Sequence, residues 1–347
     1  MRYPKAMQKG GTIGFLAPSF GCATEPYRSL FLNAQKKWSR QGYQLLPGPN
    51  CYASAGVGIS NLPARCGAEV MEMFLSDADC LISCGGGELM CEILPYVDFH
   101  RLAQAPPKWF MGYSDNTNLT YLLATLADTA SVYGPCAASF GMEPWHPALQ
   151  DAFGILTGER KALASYGMWE KESLKDEEHP FLPYNLTEKL ELRCYKGDRP
   201  VGPGTVTFQG RLLGGCMDCL VNLLGTRFDR TVEFVEKYKE DGIIWFLEAC
   251  DLNVFSIRRA MWQMEEAGWL RHVKGFLIGR PANGEPVMGL DADSAILEIA
   301  ARKGVPVVTG VDLGHLPPAM PLVTGSMGTV TVDGQENSMR IEMDYVC

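Results

Sequence analysis

The segment Lys108-Trp109-Phe110-Met111-Gly112-Tyr113-Ser114-Asp115-Asn116-Thr117 puts a hydroxyl where a strand turns into a helix. A short apolar run ends at Gly112, and an amphipathic stretch starts directly after Ser114. A serine at such a corner stands above the sheet edge, with the unpaired N–H groups of the next helix beside it. That is the order of a nucleophile elbow, with Asn116 where the G-x-S-x-G pattern has its second glycine. The same Ser-Asp pair also reads as an ordinary helix N-cap. Acyl transfer by serine needs a base for the hydroxyl proton and an acid to orient that base. Five histidines compete for the first role. His100 lies in helix-like sequence, His146 and His179 precede prolines in loops, and His272 sits between Arg271 and Lys274. His315 follows a strand and stands between Gly314 and Leu316-Pro317-Pro318, which makes it the best-placed base. Glu248 closes the apolar run 242–247, where an unpartnered acid is costly. It suits the orienting role, with Asp251 and Asp312 as competitors. The oxyanion of acyl transfer needs two converging N–H donors. One is the amide of Asp115; the second comes from Gly85-Gly86-Gly87, centred on Gly86, where missing side chains let backbone approach substrate. This triglycine lacks the Lys-Ser/Thr of a P-loop and the spacing of a dinucleotide fingerprint, so phosphate cradling is the weaker reading.

These residues need a scaffold that gathers strand ends. Residues 12–17 read as a buried strand, with Pro18-Ser19-Phe20-Gly21 as its turn. Helix 27–38, strand 43–46 and helix 62–74 follow, and strand 79–84 is closed by the triglycine. Helix signals over 88–94 precede the strand leading to Ser114. Such alternation implies an α/β fold with a mainly parallel sheet covered on both faces. Ligands then bind beyond the carboxyl ends of the strands. Residues 170–204 are charged and rich in turn formers, as in a linker. The expected units are therefore 1–165, a linker or extended loop over 166–205, and 206–347. In the last unit, strands are expected at 242–248, 275–280 and 305–308, with a helix through Ile296 and Ile299. Val254, Ile257, Met261 and Met264 recur at helical spacing and form a core stripe, stopped near Gly268.

Composition narrows the function. A chain of 347 residues favours two domains, and 46% hydrophobic with 20% charged residues is ordinary for a globular protein. The net charge of -9 disfavours nucleic-acid binding. No apolar run is long enough to span a bilayer, and residues 1–9 lack the apolar core of a signal peptide, so a cytoplasmic protein is expected. The twelve cysteines then read as reduced, buried small hydrophobes. Cys216-Met217-Asp218-Cys219 has C-x-x-C spacing without a second pair or a nearby histidine, which favours helix packing over a zinc or redox site.

Taken together, several segments resemble the LD-carboxypeptidase family of serine peptidases, which includes the microcin C immunity proteins. They are Gly14-Phe15-Leu16-Ala17-Pro18-Ser19, Arg65, Gly85-Gly86 leading to Leu94-Pro95-Tyr96-Val97-Asp98, and Gly112-Tyr113-Ser114-Asp115-Asn116-Thr117. In the second half they are Gly210-Arg211-Leu212-Leu213-Gly214-Gly215, Phe246-Leu247-Glu248 and Gly314-His315. The resemblance spans nearly the whole chain and implies Ser114 as nucleophile, His315 as base and Glu248 as orienting acid. It implies a Rossmann-like N-terminal domain, a smaller C-terminal α/β domain and an active site in the cleft between them. No metal or cofactor is expected, the substrate is small and peptide-like, and a homodimer is common. Gly85, Gly87, Arg280 and Ser19 are expected at the substrate. The implied reaction removes the terminal D-alanine of a murein tetrapeptide. The alternative is the immunity branch, which cleaves peptidyl- or aminoacyl-nucleotides and stacks the base on tryptophan, for which Trp145 and Trp169 are the residues to examine. A third possibility is a non-catalytic ligand-binding homologue. Two departures bear on the choice. The usual Arg-Gly-Gly-Tyr-Gly is here Cys84-Gly85-Gly86-Gly87, which removes a cation, and Gly-Gly-Asn-Leu is Gly214-Gly215-Cys216-Met217.

Overall fold

The computed structural model describes residues 1–345 and arranges them around two principal sheets. In the first, Gln44–Pro47, Thr12–Leu16, Cys80–Ser83, Trp109–Gly112 and Ser131–Tyr133 lie side by side in that order, all parallel. Cys80–Ser83 and Trp109–Gly112 are buried throughout. Strands covered on both faces carry unbroken apolar runs, which is how these two read in the sequence. Strand order reverses between Thr12–Leu16 and Cys80–Ser83, so a crevice opens at their carboxyl ends. The triglycine sits there. A sixth strand, Leu322–Thr324, returns from the far end of the chain and pairs antiparallel with Ser131–Tyr133.

Four parallel strands form the centre of the second sheet: Thr205–Cys216, Ile243–Glu248, Val273–Gly279 and Pro306–Val311. Antiparallel strands Met327–Asp333 and Ser338–Asp344 extend one side, and Arg193–Lys196 with Arg199–Pro200 the other. Ala162–Ala164 closes the edge beyond Ser338–Asp344. This sheet has nine strands against six in the first. The segment expected as a linker contributes two of its strands. It also forms a separate ribbon, in which Met168–Glu170 pairs with Leu186–Lys189. Strands of two to four mostly exposed residues leave little periodicity to read.

The helix Thr117–Ala127, which begins just after Ser114, is clamped between the sheets and buried at nine of its eleven positions. Tyr121 stacks on Trp269 with ring centres 5.6 Å apart, and its hydroxyl meets that of Thr231 at 2.7 Å. The Cys216 N–H donates to Thr117 Oγ1 at 3.0 Å, joining this helix to the second sheet. Val254, Ile257, Met261 and Met264 are buried along Val254–Glu266, which starts at an Asn253 cap. Each such side chain contributes about 1.5–3 kcal/mol of burial. The eleven cysteines among the described residues are free thiols, with Cys80 and Cys84 fully buried. Among the described residues no helix is long and apolar enough to cross a membrane.

Candidate active site

Strand Trp109–Gly112 delivers Ser114 at its carboxyl end. Tyr113 is extended, and Ser114 takes φ 62°, a left-handed conformation. Such strain costs a non-glycine residue about 1–3 kcal/mol and must be held by its surroundings. Three side chains hold it. The Ser114 N–H donates to the Tyr133 hydroxyl at 3.2 Å. Asn116 Nδ2 donates to the carbonyls of Gly85 at 2.8 Å and Tyr113 at 3.1 Å. The residue that departs from the elbow pattern thus ties the elbow to the glycine loop. The Asp115 carboxylate accepts from the Ser19 hydroxyl, the Met90 N–H at 2.9 Å and Asn118 Nδ2 at 3.1 Å.

The expected acid and base come from the second sheet. Glu248 ends strand Ile243–Glu248 and is 2% exposed, and His315 stands on the loop after Pro306–Val311. His315 Nδ1 lies 2.9 Å from Glu248 Oε2, and His315 Nε2 lies 2.8 Å from Ser114 Oγ. The second oxygen of Glu248 accepts from the Tyr133 hydroxyl at 2.6 Å. Gly314 has φ 94°, and a Cβ there would come within 2.5 Å of Glu248 Oε2. Only glycine lets this loop lay His315 onto the acid. Burial opposes charge on His315, but the Glu248 carboxylate and the Cys250 side chain together outweigh it and hold the imidazole above its ordinary 6.5. Burial and Glu248 push the Tyr133 phenol well up, so it keeps its proton and donates. The competing acids lie elsewhere. Asp312 pairs with Arg280, and Asp251 is exposed at the loop after Glu248.

The triglycine backbone lies against the hydroxyl: a Cβ on Gly86 would sit 3.2 Å from Ser114 Cβ and 3.3 Å from Oγ. Gly85 is anchored by Asn116, and Gly87 borders a cavity that also reaches Ser114. Two residues expected at the substrate are placed otherwise. Ser19 is fully buried and its hydroxyl braces Asp115. The Arg280 guanidinium donates to Asp312 at 2.9 Å and to the carbonyls of Gly310 at 2.9 Å and Leu316 at 3.2 Å, and it lies 5.0 Å from the centre of the Trp169 ring. It clasps the loop that carries His315. Arg280→Leu is expected to lower stability by about 3–5 kcal/mol, because it leaves Asp312 buried without its partner. Adding Asp312→Asn should recover part of the loss in urea denaturation; a double variant no better than the single excludes an ion-pair origin.

Two cavities flank the Ser114–His315 pair. One, of about 330 Å³, is lined by His315, Tyr113, Tyr27, Tyr184 and Lys175 among others. Lys175 Nζ lies 4.6 Å from the centre of the Tyr184 ring. The other, of about 190 Å³, opens on Ser114 and Asp115. Trp145 packs against Trp38, Phe140 and Phe153, and Trp169 lies under Arg280. The aromatic walls near His315 are therefore tyrosines. Sequence reasoning missed Tyr133, Lys175 and Tyr184, which stand in no motif; the approach of Tyr133 to Glu248 spans 115 positions. Among the described residues no three His, Cys, Asp or Glu side chains gather as a metal site.

Known proteins share this arrangement of chain. Residues 13–134 match the LD-carboxypeptidase N-terminal domain model, and residues 209–330 match the C-terminal domain model of the same family. A Vibrio cholerae protein named as a carboxypeptidase is 27% identical, over 96% of each chain. The microcin C7 self-immunity protein MccF of Escherichia coli is 24% identical, over 95% of this chain and 93% of the relative. A Bacillus subtilis protein assigned by name to the murein peptide carboxypeptidases is 26% identical, over 93% and 89%. Among solved structures, MccF in complex with glutamyl sulfamoyl guanosine has a TM-score of 0.80 at 22% identity, covering 99% of both chains. Muramoyltetrapeptide carboxypeptidase from Oxalobacter formigenes has a TM-score of 0.70 at 20% identity, covering 97% of this chain and 100% of that one.

Proposed function

The chain belongs to the LD-carboxypeptidase family of serine peptidases, whose two domain models together match more than half of it, and on that premise we propose that it releases the terminal D-alanine of a murein tetrapeptide. The observation that carries the reading is one imidazole bridging Ser114 Oγ at 2.8 Å and Glu248 Oε2 at 2.9 Å. Ser114 attacks the carbonyl at the L-centre as His315 Nε2 takes its proton. The oxyanion forms against the N–H groups of Asp115 and Gly86. Collapse breaks the C–N bond, and His315 returns the proton to the departing amine. Water then repeats the sequence on the acyl-enzyme and frees Ser114.

This proton path assigns the two cavities. The leaving amine must reach His315, so it occupies the cavity that His315 lines, and the acyl residue takes the one opening on Ser114. Lys175 is the only Lys or Arg among the described residues lining the leaving side. It supplies a partner for the carboxylate of a departing amino acid, replacing the cation missing from Cys84-Gly85-Gly86-Gly87. A second reading draws on the three tyrosines there, whose faces suit a nucleobase. It makes the chain a hydrolase of aminoacyl-nucleotides, as the microcin immunity name of one relative suggests. Incubation with a murein tetrapeptide and with an aminoacyl sulfamoyl adenosine, followed by mass spectrometry, separates the two. Release of D-alanine is the expected result. Release of the nucleoside alone installs the second reading. Turnover of neither, with no labelling of Ser114 by a serine-reactive phosphonate, leaves a ligand-binding homologue.

A further inference from the structure

In sequence Cys216-Met217-Asp218-Cys219 reads as helix packing; folded, both cysteines stand in the wall of the cavity that opens on Ser114. Cys216 ends strand Thr205–Cys216, and Cys219 sits in the first turn of Met217–Leu223. Their thiols are joined by a hydrogen bond. The Cys219 sulfur also lies 3.7 Å from the Ser114 backbone oxygen and 3.8 Å from Asp115 Oδ1. The Cys216 thiol donates to Asp218 Oδ2 at 3.3 Å, and the Cys216 N–H is the donor that holds Thr117. The pair thus touches the nucleophile corner on one side and ties the following helix to the second sheet on the other. Cys91 and Cys250, both partly exposed, line the same cavity. Cys22, Cys51, Cys66, Cys80 and Cys84, by contrast, are buried in the first half, where a small hydrophobe belongs.

Two thiols in contact can be oxidised to a disulfide wherever a small oxidant reaches them. The exposed Glu88 and Asp251 among its lining residues bring this cavity to the surface, and hydrogen peroxide is little larger than water. The hydrogen bond between the thiols raises Cys216, with burial adding to it; the same bond lowers Cys219, although burial leaves it above the ordinary thiol value. Cys219 is also the more exposed, at 8% against 2%, so it is the one to react first. Its thiolate attacks one peroxide oxygen. An S–O bond forms, the O–O bond breaks, and the departing hydroxide takes up a proton as water, leaving a sulfenic acid. The Cys216 sulfur then displaces that hydroxyl, which leaves with the Cys216 proton as a second water. Two thiols and one peroxide give one disulfide and two waters, the sulfurs losing the two electrons that the peroxide gains.

We infer that Cys216 and Cys219 form a peroxide-sensitive modification site, whose disulfide arrests turnover by drawing the Cys219 sulfur away from Ser114 and Asp115. The arrest rests on the hydrolase reading; the disulfide does not. The test exposes the intact, reduced protein to hydrogen peroxide, blocks the remaining thiols with N-ethylmaleimide and maps the peptides by mass spectrometry. Turnover of a murein tetrapeptide is followed in parallel. A Cys216–Cys219 bridge is expected, with kcat falling about 10–100-fold, as for a small misplacement at the reacting centre, and with dithiothreitol reversing both. Cys219→Ser removes the attacking thiol and should keep its own untreated rate to within about twofold through the same exposure. Cys216→Ser should stop at a sulfenic acid on Cys219, trapped by dimedone. Absence of the bridge, a bridge that leaves turnover unchanged, equal losses in the wild type and Cys219→Ser, or a dimedone adduct elsewhere than on Cys219 overturns the inference. If no substrate is turned over, the peptide map decides alone. A reversible bridge keeps the modification site while the carboxypeptidase reading falls; its absence sinks the site.

Discussion

Ser114→Ala is expected to lower kcat by about 10⁴–10⁶-fold, the scale on which loss of a triad nucleophile acts, and to leave the fold in place. The hydroxyl touches the imidazole of His315 across the cleft, whereas the corner itself is held by backbone and by neighbours that alanine retains. Urea denaturation should therefore show a change within about 1 kcal/mol, as for a substitution that removes no buried network. Ser114→Gly sharpens the test. It relieves the φ of 62° and should raise stability by about 1 kcal/mol while being just as inactive. A strained residue that is both destabilising and indispensable is the signature of a site shaped for chemistry rather than for folding. An alanine variant that keeps more than a few per cent of wild-type turnover, or that is still labelled by a phosphonate, rejects Ser114 as the nucleophile.

The three residues of this constellation were legible because each ends a regular element and each stands by a glycine or a strand terminus. Ser114 follows Trp109–Gly112, Glu248 closes Ile243–Glu248, and His315 follows Gly314 just beyond Pro306–Val311. Parallel strands buried on both faces announce themselves as apolar runs, and the helix expected over 27–38 is observed as Tyr27–Arg40. The helix signal at 88–94 became the 3₁₀ segment Met90–Tyr96, in which Pro95 removes a backbone donor. What stayed hidden depends on contacts between distant parts of the chain. Ser19 and Asp115 are 96 positions apart, and nothing local distinguishes a turn serine that faces substrate from one that braces a buried carboxylate. Arg280 read as a cation free for substrate, although its partner Asp312 was visible only as a rival acid. Leu322–Thr324 and Ala162–Ala164 each join the sheet of the other half, an exchange that three-residue strands cannot signal.

Glu248→Gln tests the electrostatics of the base, and its effect on rate and on pH should separate. In the wild type the buried carboxylate raises the His315 pKa above 6.5, so part of the enzyme rests as an imidazolium–carboxylate pair. Only neutral imidazole can accept the Ser114 proton. The acid limb of kcat/KM must therefore lie above the ordinary histidine value, with activity rising as the solution becomes more alkaline. The glutamine variant removes the charge but keeps the burial, which by itself disfavours imidazolium. Its acid limb is expected to move to lower pH than that of the wild type. A larger share of the variant is thus in the basic form at neutral pH, yet kcat should fall by about 10⁴-fold. The amide cannot stabilise the imidazolium that forms in the transition state, and its N–H competes for the tautomer that Nδ1 must hold. Stability follows the same linkage. A raised folded-state pKa means that the ion pair stabilises the protein fully below the unfolded value and ceases to as pH climbs through the raised one. Denaturation of the wild type should accordingly show a stabilising contribution at mildly acidic pH that fades toward alkaline pH, and the variant should lack that slope. A pH–rate profile whose acid limb stays put in Glu248→Gln shows that another group sets the protonation of the base.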